Sequence, residues 1–243
     1  MLKKLEFILL FLFVLLALAG CQAPPETAAS VVQKVVAAHG AEKSLAEAKG
    51  FLFHGHIQAL MKNDHGKLWI LYRRPAQLRV IVQLEKSKED RLYLNGQGWR
   101  DSGAGFVEVA DSPLAVMKFQ AEHLDLPFRL FEGKYQAELL GEILPDKPVK
   151  LLLTDVDGIK TYISVDPVKW VVLLVEREFT VNGQQARLGV VYEDYRTVKG
   201  VQLPFRILNF VNGQPVGRTD FQSVQTNPSL PEAVFSAPEL KAE

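Results

Sequence analysis

The sequence predicts an α+β protein that is mainly antiparallel β. Three observations carry this. From residue 51 onward apolar residues alternate with a period of two through one segment after another. Short connectors separate these segments, among them Asn63-Asp64-His65-Gly66, Asn95-Gly96, Asp157-Gly158, Asn182-Gly183 and Asn212-Gly213. Such residues accept positive φ, and strands joined so tightly must run antiparallel. Helical spacing appears in two stretches only, Glu26 to Ala48 and Asp111 to Phe131.

The 243 residues are 48% hydrophobic and 23% charged, with 28 Lys+Arg against 28 Asp+Glu. That composition suits a globular protein with a substantial core and excludes disorder, a collagen-like chain and a polybasic nucleic-acid binder. One Cys in the whole chain rules out a disulfide framework and a Cys-rich zinc site.

The N-terminus reads as an address. Lys3 and Lys4 precede an almost unbroken apolar run from Phe7 to Ala19, too short for a comfortable membrane span and suited to the core of an export signal. The run ends Leu18-Ala19-Gly20-Cys21. This resembles the bacterial lipoprotein signal, which implies that residues 1–20 are removed and Cys21 is acylated. Removal takes Lys3, Lys4 and Glu6, leaving 26 basic and 27 acidic residues. Acyl chains would anchor the protein to a membrane without spanning it. Gln22 follows the cysteine in place of the Asp that favours inner-membrane retention in the resembling lipoproteins, so the expected location is the outer membrane, facing the periplasm. Residues 21–26 then form a tether reaching about 18 Å at most, and residues 27–243 a single domain.

From Glu26 to His39, Val32, Val35, Val36 and His39 recur at helical spacing before Gly40, a residue that favours helix ends. Ala41 to Ala48 predicts a second short helical turn. In the first strand Phe51, Phe53, Gly55, Ile57 and Ala59 share one face, and Leu52, His54, His56 and Gln58 the other. Further strands are predicted at 67–73, 77–85, 90–94 and 106–109. A later group is predicted at 135–140, 149–154, 159–165, 170–181, 184–195, 201–211 and 216–224. Between the groups, Ser112-Pro113 starts a helix in which Leu114, Met117, Gln120 and Leu124 step by three or four, and Pro127 breaks it. Several strands are apolar on both faces, notably Trp170 to Val175 and Leu151-Leu152-Leu153, so something covers both sides. A curved sheet with helices plugging an apolar hollow satisfies this, and so does a compact β-sandwich or roll.

Catalytic and metal motifs are scarce. Gly-x-Ser-x-Gly, His-Glu-x-x-His, Cys-x-x-Cys and phosphate-cradling Gly-Lys-Ser/Thr are all missing. Gly96-Gln97-Gly98 reads as a turn, and Asp155-Val156-Asp157-Gly158 as a turn rather than a calcium loop. His54 and His56 share a face without an evident third ligand, which fits a solvated or interface pair better than a metal site. No metal, cofactor or enzymatic activity is expected.

Gly66-Lys67-Leu68-Trp69-Ile70-Leu71-Tyr72-Arg73-Arg74-Pro75, then Leu78-Arg79-Val80, then Tyr93-Leu94-Asn95-Gly96-Gln97-Gly98-Trp99 form a connected pattern. It resembles the second-to-fourth-strand signature of the outer-membrane lipoprotein carriers of the Lol system and their LolA/LolB-like superfamily. Ala38-His39-Gly40-Ala41, Tyr195 to Phe205 and Pro231 to Phe235 agree with it, so the resemblance spans about residues 31–240. It implies an unclosed half-barrel of about eleven strands wrapped over a few helices, with an apolar cavity for acyl chains. It also places the arginine that fastens the helical lid at Arg74, which reads equally well as a strand-end charge beside Pro75. Strand parity then nominates Trp69, Leu71, Val80, Val82, Ile163 and Val172 as cavity liners, a choice that one register error would invert.

The implied function is that of a membrane-anchored lipoprotein that takes up acyl chains of lipids or lipoproteins and passes them on at the outer membrane. Its partners would be the membrane, the acyl cargo and possible envelope proteins. Being lipidated itself, with a longer C-terminal half than the soluble carrier, it fits a tethered acceptor or lipid-binding lipoprotein better than a shuttle. The alternative is a β-rich scaffold or subunit of an envelope complex, using its apolar faces as an interface.

Overall fold

The structure is a computed structural model that describes residues 26–181 and 183–238. The expected signal at residues 1–20, Cys21 and most of the tether lie outside the described residues, as does Asn182.

Two helices open the chain, α1 (Ala28–His39) and α2 (Glu42–Glu47). Thr27 caps α1: its side chain accepts from the Ser30 amide while Ser30 returns a bond to Thr27, satisfying two amides that a helix start leaves free. Strands β1 (Gly50–Ala59), β2 (Asp64–Arg73), β3 (Gln77–Leu84), β4 (Lys88–Leu94), β5 (Gln97–Asp101) and β6 (Phe106–Val109) follow as an antiparallel meander. Helices α3 (Asp111–Leu124) and α4 (Leu126–Phe131) come next, with Pro127 in the first turn of α4, where its missing N–H costs nothing. Seven more strands complete the chain: β7 (Gln136–Leu139), β8 (Val149–Thr154), β9 (Lys160–Val165), β10 (Val172–Val181), β11 (Gln184–Val198), β12 (Val201–Val211) and β13 (Gln214–Thr226).

All thirteen strands form one sheet in the order β6-β5-β4-β3-β2-β1-β13-β12-β11-β10-β9-β8-β7. The first and last strands pair at its centre, and β6 and β7, consecutive in the chain, are its two edges. The sheet is therefore unclosed. The half-barrel reading holds, with thirteen strands in place of about eleven. The strand missing from the sequence reading is β5: its alternation is masked because Gly96 and Gly98 flank Gln97, and Asn95-Gly96 alone makes the turn.

One face of this sheet wraps the helices and forms the main core. It contributes Phe51 and Phe53 from β1, Leu68, Ile70 and Tyr72 from β2, and Leu151 and Leu153 from β8. The helices contribute Val31 and Val35 from α1, Phe119 from α3, and Leu126, Phe128 and Leu130 from α4. Phe51 and Phe128 meet with ring centres 5.4 Å apart, which joins α4 to the central strand. Two glycines allow strands to approach closely. A Cβ on Gly55 would meet the Asp220 carbonyl at 2.3 Å, at a register break against β13, and one on Gly66 would meet the Gln83 carbonyl at 1.9 Å.

The opposite face carries a smaller cluster of Leu92, Trp99 and Phe235, with Leu71, Leu94 and Phe106 packed against it. Phe235 comes from the C-terminal segment, which turns away from β13 at Asn227 and forms a 3₁₀ turn at Glu232–Phe235. The segment is strapped down by Arg73, whose Nη1 donates to both Glu232 carboxylate oxygens, and by Arg79, which donates to the Val234 carbonyl.

Replacing Phe128, which is fully buried, with Ala should lower the unfolding free energy by about 3–5 kcal/mol. Met61→Ala, at a side chain 80% exposed in the β1–β2 turn, should change it by less than about 0.5 kcal/mol. Denaturant titration of both variants checks the inward-facing assignment of α4.

Candidate functional site: a helical plug over an apolar half-barrel

The site is built where α3 and α4 cross the concave face. The α3 sequence turns Met117, Phe119 and Ala121 into the sheet, and its last turn brings His123 and Leu124 to the middle of the hollow. Two cavities remain, on either side of that turn. The first, of about 30 Å³, lies among His39, Phe53, Leu126, Val172, Tyr192 and Leu203. The second, of about 50 Å³, lies among Leu68, Ile70, Val80, Arg91, Ile207 and Thr219. His123 and Leu124 line both and separate them. Each has room for one or two waters, so in this closed state the interior is filled by the helices.

Charged groups hold the plug at both sides. At one rim Arg74, 7% exposed, donates from Nε to Asp125 Oδ1 at 2.5 Å, from Nη2 to Glu132 at 2.6 Å and from Nη1 to the Ala48 carbonyl at 3.2 Å. Its guanidinium lies 4.4 Å from the centre of the Phe128 ring. One side chain thus ties the β2–β3 corner to the α3–α4 junction, to the end of α4 and to the end of α2. Asp125 is fully buried, and its second carboxylate oxygen has no hydrogen-bond partner among the described residues. Burial raises its pKa to about 6; Arg74 opposes the rise and Glu132 adds to it.

At the other side Glu122 of α3 accepts from Arg177 of β10 at 2.6 Å and from Arg129 of α4 at 3.0 Å. Arg177 is 5% exposed and also donates to the Thr161 hydroxyl from two nitrogens. Between the two clamps, the Tyr192 hydroxyl stands 2.8 Å from His123 Nδ1 and 3.2 Å from the His123 carbonyl. Burial, with a contribution from Arg177, lowers the His123 pKa to about 3, so the imidazole is neutral at ordinary pH.

The predicted residues divide by face. Val80, Val82, Ile163 and Val172 are buried in the concave core, and Val80 and Val172 border the cavities. Trp69 and Leu71 are a correction: both lie on the opposite face. The register pairs Leu68 with Val82 and Ile70 with Val80, so the alternate residues of β2 point away from the hollow. Trp69 stacks on His54 there, with ring centres 5.1 Å apart, and Leu71 packs against the Phe235 cluster. Leu68, Ile70 and Tyr72 are the inward residues of that strand. Both faces of β2 are apolar, so composition could not choose between the parities; the inward Leu78, Val80 and Val82 on β3, read as cross-strand partners, carry the missing signal.

Asp155 bends the β8–β9 turn by accepting the Asp157 and Ile159 amides, as expected of a turn. Asp64, His65 and Glu85 bring ligand-type atoms within 4.8 Å of one another at the rim. Both Asp64 oxygens already accept backbone amides, from His65 and Lys86, so the group anchors two loops. His54 and His56 share the outer face of β1, away from the hollow. Among the described residues no helix is long and apolar enough to cross a membrane.

An unclosed antiparallel sheet plugged by short helices over an apolar concave face is the architecture of the LolA/LolB-like proteins, and this chain has that fold. No family model and no curated protein matches the sequence. Solved structures do. A LolA superfamily protein from Nitrosomonas europaea is 17% identical and matches over 87% of this chain and 98% of its own, with a TM-score of 0.55. A putative outer membrane lipoprotein-sorting protein domain from Vibrio parahaemolyticus, 11% identical, covers 86% and 95% of the two chains with a TM-score of 0.51. A DUF1329 family protein from Desulfovibrio piger, 10% identical, covers 87% and 98% with a TM-score of 0.54.

Two predictions follow from the Arg74 clamp. Lifting the plug returns Asp125 to water and to an ordinary carboxylate pKa, so the closed state binds the proton more tightly. The Asp125 contribution to closure should therefore strengthen as pH falls through about 6. His123, neutral in the closed plug, works the other way, because lifting α3 lets it take up a proton below its ordinary pKa of about 6.5. The Asp125 contribution is isolated against Asp125→Asn: between pH 7 and pH 5 the protection of amides 128–131, taken relative to that variant, should rise about tenfold, which hydrogen exchange reads directly. Arg74→Met leaves a buried carboxylate without its cation and should destabilise the chain at pH 7 by about 3–5 kcal/mol, measured by denaturant titration.

Proposed function

We propose that this protein is a membrane-anchored periplasmic lipoprotein that binds acyl chains of lipids or lipoproteins between the concave sheet and its helical plug, and takes part in their transfer or insertion at the outer membrane. The observation that carries this reading is the hollow itself. Two cavities with mostly apolar walls share His123 and Leu124 as lining residues, on a helix pair held across the sheet by a few charged side chains. The matched lipoprotein-sorting fold supports the same reading.

The mechanism is physical, without bond chemistry. Lifting α3 and α4 would merge the two cavities and expose Phe53, Leu68, Val80 and Val172 to an incoming chain. Each methylene that leaves water contributes about 0.8 kcal/mol. The aliphatic surface gained from the ligand replaces that lost when Leu124, Leu126 and Phe128 leave the sheet, so opening and loading are one exchange. Arg74 acts as the fastener of the closed state, breaking its contacts with Asp125 and Glu132 as the plug moves. The apolar stretch before Cys21, with Leu18-Ala19-Gly20, supports acylation of that cysteine and a position facing the periplasm.

The test is native mass spectrometry with lipid extraction on a Cys21→Ala form, which carries no acyl chain of its own. Bound lipid or lipopeptide in fixed stoichiometry, lost in Val172→Glu and Val80→Glu variants that remain folded, is the expected result. A folded protein that is reproducibly empty and takes up no fluorescent fatty acid would sink the lipid-pocket reading and leave the envelope scaffold in its place.

A further inference from the structure

The first cavity has a polar end. His39 closes α1, and an isolated antiparallel bridge between Gly40 and Val201 brings that helix end alongside the start of β12. His39 and Gln202 consequently line the same cavity. His39 is 1% exposed, and its Nδ1 lies 2.8 Å from the Val35 carbonyl. Only an N–H can bond a carbonyl, so the proton sits on Nδ1 and Nε2 is a bare acceptor. Burial keeps the ring neutral, its pKa lowered to about 4.

Neither His39 Nε2 nor Gln202 Oε1 has a hydrogen-bond partner among the described residues, and both atoms are buried. The hydroxyls on the same wall cannot supply one. Tyr195 donates to the Val172 carbonyl at 2.6 Å, and Tyr192 is engaged with His123. The rest of the wall includes Phe53, Leu126, Pro127 and Leu203. A buried polar atom without a partner is costly, and two acceptors on one apolar cavity present a complementary site for a donor.

We infer that His39 and Gln202 form a headgroup subsite that accepts hydrogen bonds from an uncharged donor, a hydroxyl or an amide N–H, carried on an acyl or alkyl chain. This deepens the acyl-binding reading and rests on it. The subsite selects by what it lacks. An ester or a carboxylate brings only acceptors to a pair of acceptors, and a carboxylate would also surrender its hydration to an apolar wall. A primary amide of equal chain length brings two N–H donors, one for each buried atom, and an alcohol brings one O–H, which satisfies one of them.

The test uses the purified full chain and displacement of a bound fluorescent fatty-chain probe by a series of equal chain length: dodecanol, lauramide, methyl laurate and laurate. Dodecanol and lauramide should displace the probe at concentrations at least about tenfold lower than methyl laurate and laurate. His39→Leu and Gln202→Met, checked for folding by circular dichroism, should each reduce that preference, read as the ratio of the displacing concentrations within one variant, and the double substitution should abolish it. Equal displacement by all four compounds, or a preference that survives both substitutions, overturns the subsite while leaving the acyl pocket standing. Displacement by none overturns the acyl-binding reading and the subsite with it.

Discussion

An antiparallel sheet that is apolar on its concave face and does not close on itself must have that face covered, and everything else in this structure answers to that constraint. A closed barrel could fill its interior from its own strands. Here thirteen strands leave two free edges, β6 and β7, and the hollow between them needs occupants from elsewhere. The chain solves both problems with one connection. Because β6 and β7 are consecutive, the segment that joins the edges has to cross the open side, and α3 and α4 lie in that segment. The plug is therefore covalently part of the sheet it covers.

The charged residues of the interior follow from the same arrangement. A helix pair held by apolar contact alone would be as firmly placed as any core element. Instead Arg74, Arg177 and Arg129 draw Asp125 and Glu122 of the helical segment into poorly solvated positions, and Arg74 also holds the exposed Glu132 at the end of α4. Ion pairs taken out of water recover little net stability, because desolvation offsets much of the attraction. Asp125 shows the balance: its pKa lies above the usual carboxylate range even with a guanidinium 2.5 Å away. The clamp gives the plug a defined position without making it deep in energy, which is what the proposed uptake of an acyl chain asks of it.

Much of this fold is legible in the sequence because its rules are local. Alternation in Phe51 to Ala59, the Asn-Gly and Asp-Gly turns, Ser112-Pro113 and Pro127 each act within a few residues, and each marks an element where it occurs. What stayed hidden depends on pairing across the chain. The inward face of β2 is fixed by β3, so Trp69 and Leu71 could not be told from Leu68 and Ile70 by composition. Arg74 could be nominated, but its partners at Asp125 and Glu132 are some fifty residues away and carry no motif. His39 read as the last apolar position of a helix; only the bridge to Val201 sets it opposite Gln202 in a cavity.

The C-terminal strap has a bearing on how the chain comes to be folded. Strand β1 lacks its partner β13 until Gln214–Thr226, in the last eighth of the sequence, has been made, and the outer cluster around Leu92 and Trp99 stays uncovered until Phe235 arrives. The first six strands can pair early as a local meander, but with an open edge at β1 and apolar surface on both faces. Contacts so distant in sequence are slow to form, and unpaired edges with exposed apolar surface invite association with other chains. The half-finished state is thus the vulnerable one, and prompt arrival of Phe235 protects the chain more than added stability in the finished fold would.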